Sequence, residues 1–197
     1  MLVIGLTGNF GSGKTTVSGM LAELGAVVIN ADNLGHELFQ PDTQTYREVV
    51  AAFGKEILKP DGEIDRHRLG QLVFVNAKAL SQLNQIMHPR LYEITRDKIE
   101  QYRKQGADVV VLEAALLIEA NWIPLVDQLW ITVASEATVL ERLKTHRGFD
   151  EEQVLARLQS QMKSEEKAKQ ADVIIYTDCP LGELKKRVAE LWHKLKT

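Results

Sequence analysis

The sequence has a single cysteine, and its apolar runs are shorter than a membrane span. Its 197 residues include one cysteine, Cys179, which excludes an internal disulfide framework. The five histidines are scattered without the spacing of a zinc site. The apolar start is too short to span a membrane and has no basic segment before it. We therefore expect no signal peptide, no membrane span and a cytoplasmic location.

An excess of charge of one sign is also missing. The net charge is −3 and the sequence pI is near 6.0, so no global basic field attracts nucleic acid, and any cationic site must be a local cluster. Hydrophobic residues make up 45% of the chain, which is ample for a buried core. We expect a protein that binds no nucleic acid and is a monomer or a weak homo-oligomer.

The first segment, MLVIGLTGNFGSGKTT, contains a complete phosphate-binding motif between a predicted strand and a predicted helix. Gly8, Gly13, Lys14 and Thr15 occupy every fixed position of GxxxxGK[ST]. Backbone N–H groups of such a loop converge on an anion, Lys14 reaches the β- and γ-phosphates, and the Thr15 hydroxyl binds Mg²⁺. The alternative is a glycine-rich turn with a surface lysine. The motif predicts a nucleoside triphosphate site formed by Gly8, Asn9, Phe10, Gly11, Ser12, Gly13, Lys14, Thr15 and Thr16.

Short apolar runs alternate with helical patterns along the chain. This alternation predicts an α/β fold, with a five-stranded parallel sheet flanked by helices and ligands outside the carboxyl ends of the strands. The predicted strands are residues 2–6, 27–30, 109–112, 128–133 and 173–176.

Two long intervals between strands predict additions to this core. Residues 42–105 read as a helical substrate-binding insertion, since a simple crossover needs only about 10 to 12 residues. Residues 135–170 read as a lid, with Gly148 as a hinge. The nucleotide-binding core would then comprise residues 1–41, 106–134 and 171–197.

Capping signals mark several helices within these intervals. Asp65 is expected to cap a helix over 66–74, and Pro89 to lie in the first turn of a helix that continues to Lys104. Asp150 and Gln153 have capping-box-like spacing before a helix over 154–162. A final helix is expected over 181–195.

Asp32 follows the second predicted strand, where a carboxylate could orient a hydroxyl group for phosphoryl transfer. It could equally cap a helix over 33–39. Residues 32–35 also spell DxxG, which nucleotide-switch proteins use to sense the γ-phosphate. The chain has no NKxD guanine-recognition motif, and DxxG comes too early to follow a switch threonine.

Further acidic and basic side chains are candidates for the same site. Glu113 ends the third strand, where an acid near Mg²⁺ is expected. Glu119 is either a solvated helix residue or a substrate contact. Arg142, Arg147 and Arg157 of the predicted lid could bring guanidinium groups to the phosphates, or be solvated helix residues. His88 and Arg90 lie beside Pro89, where a helix cap and an exposed side chain are the alternatives.

The sequence resembles the dephospho-CoA kinase family nearly from end to end. The resemblance is carried by IGLTGNFGSGKTTVS, NADNLGHEL, FGKEILKPDGEIDRHRLGQLVF, LNQIMHPRL, EAALLIEAN, HRGFDEEQVLARLQSQM and KAKQADVII. It implies a P-loop kinase that uses ATP and Mg²⁺ to phosphorylate the ribose 3′-hydroxyl of dephospho-CoA, giving CoA and ADP. Another P-loop kinase with a nucleotide or small-metabolite acceptor is the nearest alternative.

The resemblance also implies roles for particular residues. Asp32 would activate the 3′-hydroxyl, Arg147 would be the lid arginine, and Arg142 would contact the nucleotide. The implied acceptor-binding residues are Asp32, His36, Phe53, Arg66, His88, Arg90, Leu116 and Glu119.

The chain departs from the family pattern at three places. Asn30 replaces the first acid of a DAD triplet, and Glu113 replaces the Asp of the third-strand motif DxPLLFE, in which Ala115 and Ile118 replace Pro and Phe. After the last strand, residues 176–179 replace the usual Asn and Gly.

Overall fold

The computed structural model describes residues 1–147 and 151–195, without the side chains of residues 146, 147, 151–153 and 157. The chain divides into two units, Met1–Asn30 with Lys98–Thr197 and Ala31–Asp97. The predicted borders of the insertion at 42–105 and of the lid at 135–170 remain predictions. In the described part of the chain, no helix combines the length and the apolar character needed to cross a membrane.

A five-stranded sheet of the order β2-β3-β1-β4-β5, all parallel, forms the first unit. This confirms the predicted fold class. Register pairs Leu2 with Val109 and Ile4 with Gln128 on the two sides of β1. The strands are β1 (Leu2–Gly8), β2 (Val27–Asn30), β3 (Val109–Glu113), β4 (Gln128–Val133) and β5 (Val173–Tyr176).

Nine α-helices are described. They are α1 (Lys14–Glu23), α2 (Ala31–Leu38), α3 (Gln44–Phe53), α4 (Arg66–Phe74), α5 (Ala77–Lys104), α6 (Glu136–Arg147), α7 (Glu151–Gln159), α8 (Ser164–Ala168) and α9 (Leu181–Leu195).

Apolar side chains on the sheet explain why these runs become buried strands. β3 is buried at every position, because a parallel sheet covered by helices is shielded from water on both faces. α1 and α9 pack against a core that contains Ile4, Leu6 and Trp130. This packing holds the carboxyl end of β1, and so the start of the phosphate loop, in one place.

The second unit has an apolar core of its own, built from helices. Val49, Phe53 and Leu69 are buried in it together with Met87. Asp65 caps α4 as predicted, since its carboxylate accepts hydrogen bonds from the backbone N–H groups of His67 at 3.0 Å and Arg68 at 3.1 Å.

Pro89 does not begin a helix, so that prediction was wrong. α5 runs unbroken from Ala77 to Lys104 with Pro89 inside it. Proline removes one backbone hydrogen bond from a helix interior. Asn76 supplies the cap instead, because its side chain accepts from the N–H groups of Lys78 and Ala79. The predicted capping pair Asp150 and Gln153, with the Gly148 hinge, lies outside the described residues and side chains.

Candidate active site

The phosphate loop joins β1 to α1 and depends on glycine at two positions in particular. Gly8 has φ 145°, and a Cβ there would lie 2.4 Å from the Thr132 hydroxyl and 2.5 Å from the Thr132 carbonyl oxygen. Gly13 adopts a left-handed conformation with φ 90° just before α1 begins. The first-turn N–H groups of α1 have no intrahelical acceptor, so they form an anion site at the end of β1.

Lys14 is folded back over this loop. Its ammonium group donates to the carbonyl oxygens of Gly8 at 2.8 Å and Asn9 at 3.1 Å, although the residue is only 8% exposed. A buried ammonium needs such acceptors, because desolvation of an unpaired charge is expensive. The positive charge therefore lies inside the loop, ready for the charge-assisted hydrogen bonds that phosphate oxygens accept.

The carboxylate of Glu113 connects β3 to α1 by two short hydrogen bonds. The Thr15 hydroxyl donates to Oε1 at 2.7 Å, and the Ser18 hydroxyl donates to Oε2 at 2.7 Å. Both Glu113 and Ser18 are buried, each about 3% exposed. Because Thr15 gives its proton to Glu113, its oxygen lone pairs remain available to a cation. Sequence reasoning missed Ser18, which reads as an ordinary residue of an apolar helix.

The residues present fit a magnesium ion. Mg²⁺ prefers oxygen ligands and usually takes one or two protein groups together with substrate phosphates, as the hydroxyl of Thr15 and the carboxylate of Glu113 would allow. No cluster of three or more His, Cys, Asp or Glu side chains suited to a metal occurs within residues 1–147 and 151–195 as described.

Thr177 connects the phosphate loop to the last strand, a role that sequence reasoning missed. Its hydroxyl donates to the Ser12 carbonyl oxygen at 2.9 Å, and the residue is 1% exposed. The Ser12 hydroxyl in turn shares a hydrogen bond of 2.7 Å with the Thr132 hydroxyl on β4. Hydroxyl groups of β4 and of the residue after β5 thus fix the middle of the loop.

Arg142 of α6 lies beside this network. Its guanidinium donates to the Thr177 hydroxyl at 3.1 Å and to the Thr177 carbonyl oxygen at 2.5 Å. Thr177 lies in the segment that replaces the Asn and Gly of the family pattern. It therefore holds Arg142, one of the predicted nucleotide-binding residues. The side chains of Arg147 and Arg157, in contrast, lie outside the described ones.

A hollow of about 420 Å³ opens next to Arg142. Asp178 at its edge accepts from the Ser135 backbone N–H at 2.9 Å. The Thr138 hydroxyl, followed by the Ser135 donors, holds the pKa of Asp178 below its ordinary value, although partial burial acts in the opposite direction. The lining residues are Thr138, Glu141, Arg142, Thr145, Asp178 and Cys179.

Asp32 lies in the first turn of α2 and is exposed. The helix begins one residue earlier, at Ala31, so the alternative of a capping Asp32 before a helix over 33–39 was wrong. The DxxG residues 32–35 lie within α2 rather than in a loop, which disfavours a nucleotide switch. Partial burial and the Arg66 guanidinium hold the pKa of His36 below its ordinary value, and the Asp32 carboxylate offsets part of this effect.

The remaining predicted acceptor residues of the helical unit occupy different environments. Phe53 is 7% exposed within the apolar core of the unit. His88 is half-buried on α5. Arg90, also half-buried, lies 3.8 Å from the Glu93 carboxylate one turn along the same helix. Whether these residues bind substrate stays a prediction.

Glu119 and Leu116 follow β3 in a series of turns, so Glu119 is not a helix residue. Its Oε1 accepts from the Lys167 ammonium at 2.8 Å and from the backbone N–H of Met162 at 3.1 Å. Leu116 is half-buried. The remaining predicted loop residues, Asn9, Phe10, Gly11 and Thr16, all lie between β1 and the first turn of α1.

Comparison with known proteins identifies relatives along almost the whole chain. A family model described as dephospho-CoA kinase matches residues 2–183. A dephospho-CoA kinase of Geobacter sulfurreducens is 41% identical over 194 residues, which cover 98% of this chain and 98% of that protein. A second, from Bacillus anthracis, is 44% identical over 177 residues, covering 90% and 88% of the two chains.

Solved structures share the fold of this chain. A protein of Thermus thermophilus superposes with a TM-score of 0.80 at 29% identity, covering 98% of this chain and 97% of its own. A dephospho-CoA kinase of Campylobacter jejuni gives 0.62 at 23% identity, with 98% and 96% covered. A shikimate kinase of Acinetobacter baumannii, solved with shikimate, gives 0.59 at 15% identity, with 100% and 95% covered, and shares the fold alone.

Proposed function

The chain belongs to the dephospho-CoA kinase family and phosphorylates dephospho-CoA to coenzyme A with ATP, and we propose that the residues described above divide this reaction between them. The observation that carries the assignment is the continuous family match over residues 2–183, on a chain whose phosphate loop contains a buried lysine. The acceptor group is the 3′-hydroxyl of the ribose.

The donor is bound by the phosphate loop. Backbone N–H groups between Gly8 and Thr16 bind the phosphate oxygens of ATP, apart from those of Phe10 and Ser12, which donate to Gln161 and Asn9. Lys14 neutralises charge that moves toward the bridging oxygen as the γ-phosphoryl group leaves. The hydroxyl of Thr15 and the carboxylate of Glu113 hold Mg²⁺, which shields the negative charge of the β- and γ-phosphates when it is bound. Arg142 lines the hollow of about 420 Å³, whose size suits a planar base.

The acceptor is activated by Asp32. Its carboxylate accepts the proton of the 3′-hydroxyl as the new P–O bond forms, and the pair of electrons of the breaking bond goes to the β-phosphate oxygen of ADP. Exposure of Asp32 supports this role, because an exposed carboxylate is accessible to a substrate hydroxyl group. Arg147 stabilises the transferring group. His36, Phe53, Arg66, His88, Arg90, Leu116 and Glu119 form the acceptor site.

The protein acts as a monomer or weak homo-oligomer in the cytoplasm and binds no nucleic acid. The near balance of charge in the sequence supports the last point.

The test is a coupled assay for ADP release with dephospho-CoA and, in parallel, a panel of nucleoside monophosphates and shikimate. We expect turnover on dephospho-CoA alone. Phosphorus NMR of the product should show a new monophosphate on the ribose 3′-oxygen. Turnover confined to the panel, or phosphate at another position of the product, would contradict the proposal.

A further inference from the structure

The segment after α7, residues 161–167, contacts both loops that flank the anion site. The Gln161 side chain accepts a hydrogen bond from the backbone N–H of Phe10 in the phosphate loop, with an N···O distance of 2.9 Å. Because that N–H is committed to Gln161, the orientation of the Phe10 peptide depends on a residue far away in the sequence. This hydrogen bond fixes one peptide group of the phosphate loop, whose function depends on the orientation of its peptide groups.

Lys167 makes the second contact. Its ammonium donates to the carbonyl oxygen of Ala115 at 2.8 Å and pairs with Glu119 Oε1 at 2.8 Å. Ala115 follows Glu113 by two residues, and its carbonyl oxygen also accepts from the Thr7 hydroxyl at 3.3 Å. Lys167 therefore holds the turn that leads out of the Glu113 strand.

Burial of the Lys167 ammonium group costs desolvation free energy, which its contacts must offset. Its side chain is 0% exposed, whereas the neighbouring Lys163 and Lys169 are exposed. Removing an ammonium from water costs several kcal/mol, and a pair of similar-sized apolar residues often gives equal or greater stability. In addition, Glu119 Oε2 is buried without a hydrogen-bond partner in the described part of the chain. A contribution to folding stability alone therefore does not explain why the Lys167–Glu119 pair is buried.

We propose that Gln161 and Lys167 are positioning residues for phosphoryl transfer. Gln161 orients the Phe10 peptide of the phosphate loop, and Lys167, with Glu119, orients the turn after Glu113, so that both loops keep one geometry before ATP binds. This inference rests on the proposed function.

Gln161 is tested by Gln161→Met, which keeps the volume and removes the acceptor, with Gln159→Met at an exposed position as the matched control. Affinity for adenylyl imidodiphosphate, a non-hydrolysable ATP analogue, is measured by calorimetry in the presence of Mg²⁺. We expect about tenfold weaker binding in Gln161→Met, the size of one hydrogen bond, with the Tm of the control.

Lys167 is tested with Lys167→Met and with the double variant Lys167→Met/Glu119→Leu, against Lys169→Met. The single variant leaves the half-buried Glu119 carboxylate without its counter-ion and with the Met162 N–H as its remaining donor among the described residues, so its Tm should fall, whereas the double variant should regain it. Because Glu119 is also assigned to the acceptor site, the readout is affinity for adenylyl imidodiphosphate in the absence of dephospho-CoA. We expect the double variant to bind this analogue about tenfold more weakly than the control despite the regained Tm.

Analogue binding equal to that of the matched control, either in Gln161→Met or in the double variant with its Tm regained, would overturn the proposal. Analogue binding is read without dephospho-CoA. A wild-type protein that fails to phosphorylate dephospho-CoA would therefore disprove the proposed function and leave the Gln161 test intact.

Discussion

The two units of this protein hold their polar residues in different ways. In the sheet unit, Lys14, Glu113 and Thr177 are buried and hydrogen-bonded to residues distant in sequence. In the helical unit, Ala31–Asp97, contacts such as that of Arg90 with Glu93 are made within one helix and near water. The comparison teaches that the polar residues around the phosphate loop are held by contacts between distant parts of the sheet unit, whereas the ion pair of Arg90 and Glu93 joins neighbouring turns of one helix.

Among the substitutions considered, removal of the Lys14 side chain from the sheet unit should reduce activity most. Lys14→Ala deletes a preorganised charge and leaves the Gly8 and Asn9 carbonyl oxygens without that donor. We expect kcat to fall about a thousandfold, the upper range for loss of one such group. The control is Lys185→Ala, since Lys185 is an exposed lysine paired with Glu23. A decrease below tenfold in steady-state CoA formation would contradict the assigned role.

On the helical side, Asp32→Asn should have the next largest effect. The amide cannot accept the proton of the acceptor, and we expect about a hundredfold lower kcat, because a loose phosphoryl-transfer transition state needs limited base assistance. Affinity for the ATP analogue should not change. The matched control is Asn33→Ala at the neighbouring exposed position. A wild-type kcat in Asp32→Asn would show that this carboxylate has no catalytic role and is only a residue of the first turn of α2.

Ser18→Ala sharpens the comparison by removing a single buried hydrogen bond. Glu113 would keep its contact with Thr15 but lose the donor on Oε2, so the carboxylate is held less firmly. We expect about tenfold weaker Mg²⁺ affinity in the presence of the ATP analogue, which is the lower range for residues behind a metal ligand. Ser81→Ala, at an exposed position of α5, serves as the control and should titrate like the wild type.

The smallest effect is expected at His36. Its folded-state pKa lies below the ordinary value of about 6.5, so the unfolded chain binds the proton more readily. This contribution to stability is present above that pH and is lost as the pH falls through the folded-state pKa. The Tm of His36→Gln, measured between pH 8 and 5, should therefore decrease less on acidification than that of the wild type. Parallel curves would contradict the direction of the shift.

Local signals predicted much of the fold. The phosphate loop, the five strands and the Asp65 cap each depend on residues close together in sequence, and each occurs as expected. Pro89 was misassigned because the preference of proline for first turns is statistical, and α5 has enough other hydrogen bonds to tolerate it.

The missed residues share a different cause. Ser18, Thr177 and Lys167 gain their roles from partners 52 or more positions away, namely Glu113, Ser12 and Ala115. A lysine within a charged stretch normally predicts an exposed side chain, so the sequence around Lys167 gave no signal of burial. The sequence shows that the expected Asn and Gly are replaced after β5. It does not show the hydrogen bonds that Thr177 makes with Ser12 and Arg142.

The position of β1 in the middle of the sheet has a consequence for synthesis. Leu2 pairs with Val109 and Ile4 with Gln128, so β1 leaves the ribosome long before either of its neighbours has been translated. The helical unit, Ala31–Asp97, is complete before either neighbour exists. Both edges of this apolar strand are open to unwanted pairing until β3 emerges, and one edge stays open until β4 emerges. Nascent chains stalled in that interval are the ones most exposed to aggregation.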